Sequence, residues 1–202
     1  MMACLPRVVA AVLLVLASPL IALLAATLAV VQGRPVLFRQ VRSGLHGAPF
    51  RLVKFRTMRE TRDDAGRLLP DEQRVTTVGT VLRKTRLDEL PSLWNVVTGD
   101  LAFIGPRPLL PITIESLGAN GLRRGRVSPG LTGWSQVNGN TLLSLDEKVA
   151  LDLWYIGHRS FRTDVAILAR TLWVMTRGET RRGPPPLPQS CSPETVKEQV
   201  PS

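Results

Sequence analysis

Three features of the sequence predict a helix-rich α/β protein attached to a membrane. They are an uncharged apolar run at residues 8–31, a dense basic stretch directly after it, and two short extended runs followed by several capped helical segments. The chain has 202 residues, the size of one ordinary domain with appendages. Its formal charge of +10 calls for an anionic partner: lipid headgroups, nucleic acid or phosphorylated substrates. Aromatic residues make up 5% and none is interleaved among the basic ones, which argues against stacking on single-stranded nucleic acid. Cys4 and Cys191 lie at opposite ends and make no disulfide framework. His46 and His158 are far apart in sequence, and no Cys/His cluster has the spacing of a zinc site.

The 24 residues of the apolar run reach about 36 Å as a helix, enough to cross a bilayer core. A cleaved signal peptide fits Arg7, the run and the small residues near Ala25; a plain transmembrane helix fits the length. A third arrangement starts from Ser18-Pro19 at the centre. Pro19 removes a helical hydrogen bond, and within lipid the freed carbonyl needs a partner, for which the Ser18 hydroxyl is nearest. Hydropathy alone favours the plain span, since proline is tolerated in membrane helices. Arg34, Arg39, Arg42, Arg51, Lys54, Arg56, Arg59 and Arg62 follow, opposed only by Glu60. They place this side in the cytoplasm and hold it to anionic headgroups.

Residues 35–41 and 49–55 read as strands joined by the glycine-containing turn SGLHGA, and residues 63–70 as a polar loop. Residues 71–86 have helical periodicity weakened by Gly79, and 112–121 form a short helix. The segment SPGLTGW at 128–134 reads as turn chemistry, in which Pro129, Gly130 and Gly133 can bring backbone N–H groups close to a ligand; an ordinary surface turn is the plainer reading. Ser144 and Glu147 make a capping box for a helix with Val149, Leu153 and Ile156 on one side and Asp152 among apolar neighbours. A last helix opens at Thr163-Asp164 and ends at Gly178; its apolar residues suit a membrane interface or a core equally. Residues 179–202 are polar and proline-rich, the composition of a disordered tail.

Chemistry concentrates at residues 83–108, RKTRLDELPSLWNVVTGDLAFIGPRP. Pro91 suits the first turn of a helix over 91–97 and pushes Leu90 towards an extended conformation. Asp88 and Glu89 then approach a helix N-terminus, where a carboxylate pair can hold a divalent cation that bridges to phosphate. Arg107, between two prolines, offers a stiffly held guanidinium suited to bidentate phosphate binding. Acids decorating a helix start, followed by a loop arginine, remain the plainer account.

The ordered set of motifs resembles the small monotopic phosphoglycosyl transferases. The matching residues are the Ser18-Pro19 break, KFRTM (54–58), LDELP (87–91), LWNVVTGDLAFIGPRP (93–108), SPGLTGWSQVNG (128–139) and LDLWYI (151–156). The resemblance covers about residues 5–177, and is similar in size to members that transfer phospho-diacetylbacillosamine. It implies a re-entrant anchor over 1–32, a cytoplasmic catalytic domain over 33–177 with amphipathic interfacial helices, and a tail over 178–202. It also implies transfer of a sugar 1-phosphate from a UDP-sugar to polyprenyl phosphate at the bacterial inner membrane. In that scheme Asp88 is the nucleophile that forms a phosphosugar intermediate and releases UMP, and Glu89 binds Mg²⁺. Lys54, Arg107 and Asp152 fall on active-site motif positions, and Pro129, Gly130 and Gly133 on a segment that can hold the nucleotide. The chain departs from the family at Asn140, where VNGN replaces VNGR, and at Arg86, which replaces a small polar residue. Two rival functions are a non-catalytic tether whose basic face binds anionic lipid or nucleic acid, and a hydrolase of diphosphates.

Overall fold

A computed structural model describes residues 4–181. Helix α1 (Cys4–Gln32) is the one helix among the described residues long and apolar enough to cross a membrane. It continues through Pro19, and the Ser18 hydroxyl donates to the Val15 carbonyl at 2.7 Å, the group that Pro19 deprives of its helical donor. Both halves of α1 touch the rest of the chain. Ala10 packs with Phe50, Val96 and Leu101, and Leu28 packs with Phe55 and Leu82. Arg7 near the N-terminal end lies over Gly99, where an added Cβ would meet its guanidinium at 2.2 Å. At the other end Arg56 donates to the carbonyls of Gln32 and Gly33, and Arg59 to Val31. Two of the basic residues expected to face lipid therefore cap the last carbonyls of α1 instead, where a cation also offsets the negative helix end.

Strands β1 (Leu37–Ser43) and β2 (Pro49–Phe55) form an antiparallel hairpin; β1 starts two residues later than expected, after Pro35 and Val36. Its register sets Phe38 opposite Lys54, Gln40 opposite Leu52 and Arg42 opposite Phe50, so these side chains share one face. The helical stretch expected over 71–86 is two helices, α2 (Asp71–Arg74) and α3 (Thr77–Lys84), the second capped by the Thr76 hydroxyl. Gly79 is buried under this cap because a Cβ there would meet the Thr57 carbonyl oxygen at 2.1 Å.

Residues Leu87–Ser92 form a 3-10 turn followed by α4 (Leu93–Thr98). Leu90 is thus helical rather than extended, and Pro91 lies inside the turn instead of opening the helix. Tertiary anchors override the local preference: the Ser92 hydroxyl donates to the Val53 carbonyl at 2.6 Å, and the Asn95 side chain accepts from Val53 N and donates to the Arg51 carbonyl. The Asn95 amide serves the edge of β2 as a neighbouring strand would, fixing the acid pair against the hairpin.

Strand β3 (Ala102–Ile104) pairs in parallel with β4 (Gly130–Thr132), so SPGLTG holds a short strand where a turn was expected. Helices α5 (Pro111–Ser116), α6 (Ala119–Arg124) and α7 (Trp134–Val137) complete the middle of the chain. Helix α8 (Leu145–Gly157) has the expected capping box. Its buried residues are Val149, Leu151, Asp152 and Tyr155, so the inward face is centred on Asp152 rather than on Leu153 and Ile156. Helix α9 (Phe161–Arg177) starts one turn earlier than expected, capped by Ser160. It buries Ile167 and Val174 and exposes Phe161, Val165, Leu168, Leu172 and Trp173. The tail lies largely outside the described residues, but its first residues do not: the Glu179 carboxylate is hydrogen-bonded to Asn140 and Thr141.

Candidate active site

The hairpin, the 3-10 turn and the loop after β3 meet around the two adjacent acids. Asp88 is 6% exposed, and Glu89 beside it accepts from Arg107 at 3.3 Å and stands 3.9 Å from Arg86. Arg86 turns the chain into the acid pair with a left-handed backbone (φ 59°). A cleft beside the pair is lined by Arg42, Lys54, Glu89, Arg107, Gly130 and Gln136. A second, on the other side of Lys54, is lined by Gln40, Arg59, Asp71, Arg74 and Arg83 among others. Lys54 therefore lines both clefts, each of which gathers further cations.

Electrostatics separate the two acids. Burial pushes the Asp88 carboxyl up to about 6, the Glu89 charge pushes the same way, and Lys54, Arg83 and Arg107 pull against them. Burial lowers the Lys54 pKa, an effect that the neighbouring Asp88 charge opposes. Among the described residues no hydrogen bond reaches the Asp88 carboxylate. The site thus holds a buried, weakly solvated carboxylate within the field of three cations, with a second carboxylate tied to Arg107.

Lys54, Asp88, Glu89 and Arg107 are brought together as expected, while Asp152 pairs with Arg124 and has the Arg107 charge in its field. It is 1% exposed and accepts two hydrogen bonds from Arg124, at 2.9 Å from Nε and 2.6 Å from Nη2. Arg124, itself 5% exposed, also donates to the backbone carbonyl of Arg107. Burial pushes the Asp152 pKa up, and the Arg124 charge opposes that shift. Asp152 is thus linked to the Arg107 loop through the Arg124 guanidinium.

Gly130 and Gly133 allow strands and loops of the chain itself to approach. An added Cβ would meet the Gly105 nitrogen at 2.1 Å from Gly130 and its carbonyl oxygen at 2.0 Å from Gly133. Gly130 also lines the cleft, and Pro129 passes its carbonyl to the Ala102 N–H at 2.8 Å. Ser18 and Pro19 lie in α1, away from these groups.

Sequence reasoning missed Arg42, Arg83 and Arg124. The period-two alternation of β1 carried a signal for Arg42, since it places that residue on the face of Lys54. Arg42 also donates to the Pro108 carbonyl at 3.2 Å, and Arg83 to the Thr57 hydroxyl at 2.8 Å.

A sequence model of the family described as bacterial sugar transferase matches residues 1–178. The chain is 50% identical over 149 residues to the uncharacterized sugar transferase EpsL of Bacillus subtilis, covering 72% of this chain and 74% of that protein. It is 39% identical over 175 residues to a UDP-glucose:undecaprenyl-phosphate glucose-1-phosphate transferase of Caulobacter vibrioides, covering 82% of this chain and 66% of that protein. An enzyme of the same name from Escherichia coli is 37% identical over 176 residues, which cover 82% of this chain and 38% of the relative. The chain thus spans well under half the length of that last relative.

Proposed function

The chain belongs to the bacterial sugar transferase family, and we propose that it transfers a sugar 1-phosphate from a UDP-sugar to polyprenyl phosphate. The observation that carries the reading is the buried Asp88 carboxylate, pushed up to about 6, in the field of Lys54, Arg83 and Arg107. Phosphoryl transfer needs placement and charge neutralisation more than acid–base chemistry, and this arrangement supplies both. An oxygen of ionised Asp88 forms a bond to the β-phosphorus while the bond from that phosphorus to the bridging oxygen breaks, and UMP departs with the bonding pair. A polyprenyl phosphate oxygen then attacks the same phosphorus and the Asp88 carboxylate leaves, so one displacement becomes two. Lys54, which lines both clefts, offsets phosphate charge in either.

Glu89 is the residue that would hold Mg²⁺. The donor set, two adjacent carboxylates, suits a cation that uses one or two carboxylates and completes its shell with phosphate oxygens and water. Bound there, the cation would neutralise charge on the diphosphate. Arg107, paired with Glu89 at 3.3 Å, would bind substrate phosphate.

The contacts made by both halves of α1 support an anchor whose two ends stay on the side of the catalytic domain, a re-entrant arrangement at the cytoplasmic face of the inner membrane. The exposed apolar face of α9 supports an interfacial position for that helix.

The test is intact-protein mass spectrometry of the enzyme with Mg²⁺ and a panel of UDP-sugars, including UDP-glucose and a UDP-diacetamido sugar, without acceptor. A gain of one phosphosugar that is absent from Asp88→Asn is expected. UMP release that requires polyprenyl phosphate, with no adduct, would replace the covalent route by direct transfer.

A further inference from the structure

Arg86 and Asn140 meet at one carboxylate. Glu179, just past α9, accepts from Asn140 Nδ2 and Arg86 Nη2 through one oxygen, the latter at 3.4 Å. Its other oxygen accepts from the Thr141 N–H at 3.2 Å and from the Thr141 hydroxyl. Four donors and one positive charge thus converge on a single anion. Arg86 and Asn140 both have left-handed backbones, with φ of 59° and 42°. Such conformations are costly for Arg in particular, and persist where surrounding structure holds them. Arg181 in the same segment pairs with Glu147, so the start of the tail is held at two points.

This site adjoins the acid pair. The same guanidinium that binds Glu179 has its other nitrogen 3.9 Å from Glu89. A guanidinium, two N–H donors and a hydroxyl form the chemistry that recognises an oxyanion, and phosphate in particular. We propose that Arg86, Asn140 and Thr141 form a phosphate subsite beside the acid pair and that Glu179 occupies it in cis as a displaceable stand-in. The inference rests on the transferase reading for its substrates, though not for the site itself. The phosphate comes from the UDP-sugar or from the polyprenyl phosphate headgroup, and the site's chemistry is the same for both. While Glu179 is bound, the charge of Arg86 is divided between two carboxylates; its withdrawal exposes all four donors.

The test uses the full chain in detergent or nanodiscs as wild type, Glu179→Ala and Glu179→Gln, the last to keep side-chain volume should the alanine variant fold poorly. Calorimetric titration with inorganic phosphate reads the site directly. If Glu179 fills the site nine-tenths of the time, its removal tightens phosphate binding about tenfold. Adding Asn140→Ala should take that gain away. UMP-release kinetics should show a lower KM in the Glu179 variants for one substrate, which identifies the source of the phosphate. Unchanged phosphate affinity and unchanged KM for both substrates, with only a lower Tm, would overturn the subsite and leave Glu179 as a tether for the end of α9. Tighter phosphate binding in variants of a protein that releases no UMP would keep the subsite and overturn the transferase reading.

Discussion

Asp88 and Asp152 are both aspartates removed from water, yet the two regions around them treat the charge in opposite ways. Asp152 is met by a guanidinium at 2.6 and 2.9 Å, in a fixed pair that ends on the Arg107 carbonyl. Asp88 has cations in its field but no hydrogen bond from a described residue, and its pKa is raised to about 6. Asp152 is held by Arg124 through one oxygen alone, since its Oδ1 is buried without a hydrogen-bond partner. An unpaired buried carboxylate is costly to keep ionised and correspondingly available to an electrophile. The difference teaches that burial alone does not separate the two acids; a guanidinium in direct contact does.

The comparison breaks most sharply at the first acid. Asp88→Asn should lower turnover by about 10⁴-fold or more while the protein stays folded, as read by UMP release. The same neutral replacement should raise stability at neutral pH by about 1–3 kcal/mol in denaturant unfolding, since a shift of this size sets the cost of keeping the charge buried. Asp152→Asn should do the reverse. It leaves Arg124 buried without its partner and should lose about 3–5 kcal/mol in the same unfolding measurement. A double variant, Asp152→Leu with Arg124→Met, should recover much of that stability while the loosened Arg107 loop keeps activity low.

The pH dependence separates the acids again. The folded pKa of Asp88 lies above the ordinary 3.8, so the folded chain binds this proton more tightly than the unfolded chain. Its contribution to stability is present at acid pH, falls as pH rises from about 4, and is gone above about 6. The proposed route needs the ionised form, so on that route kcat/KM should fall tenfold per pH unit below about 6 and level off above it. The finest test removes one cation. Lys54→Met takes away a charge that lowers the Asp88 pKa, and the acid limb of the profile should move up by about half a unit to one unit. An unmoved limb would assign that titration to another group.

Features specified by neighbours along the chain were legible in the sequence. The capping box of Ser144 and Glu147, the hairpin of β1 and β2, the apolar α1, and the Ser18 hydroxyl serving the carbonyl freed by Pro19 all depend on contacts a few residues apart. The order of the motifs also marked Lys54, Asp88, Glu89 and Arg107 through the family resemblance. The conformation of Leu90, the strand within SPGLTG and the inward face of α8 were decided elsewhere. Leu90 follows Ser92 and Asn95, which bind β2 some 39–44 residues away in sequence. The strand exists because Gly105 and Gly130 let two backbones touch. Asp152 turned inward because Arg124, contributed by another helix, balances it. The sequence by itself determined the caps, the hairpin and which segments are apolar or charged, since those properties are local sums over adjacent residues. Only the tertiary structure decided which acid is paired and which stays available, because pairing depends on where distant cations arrive in the fold.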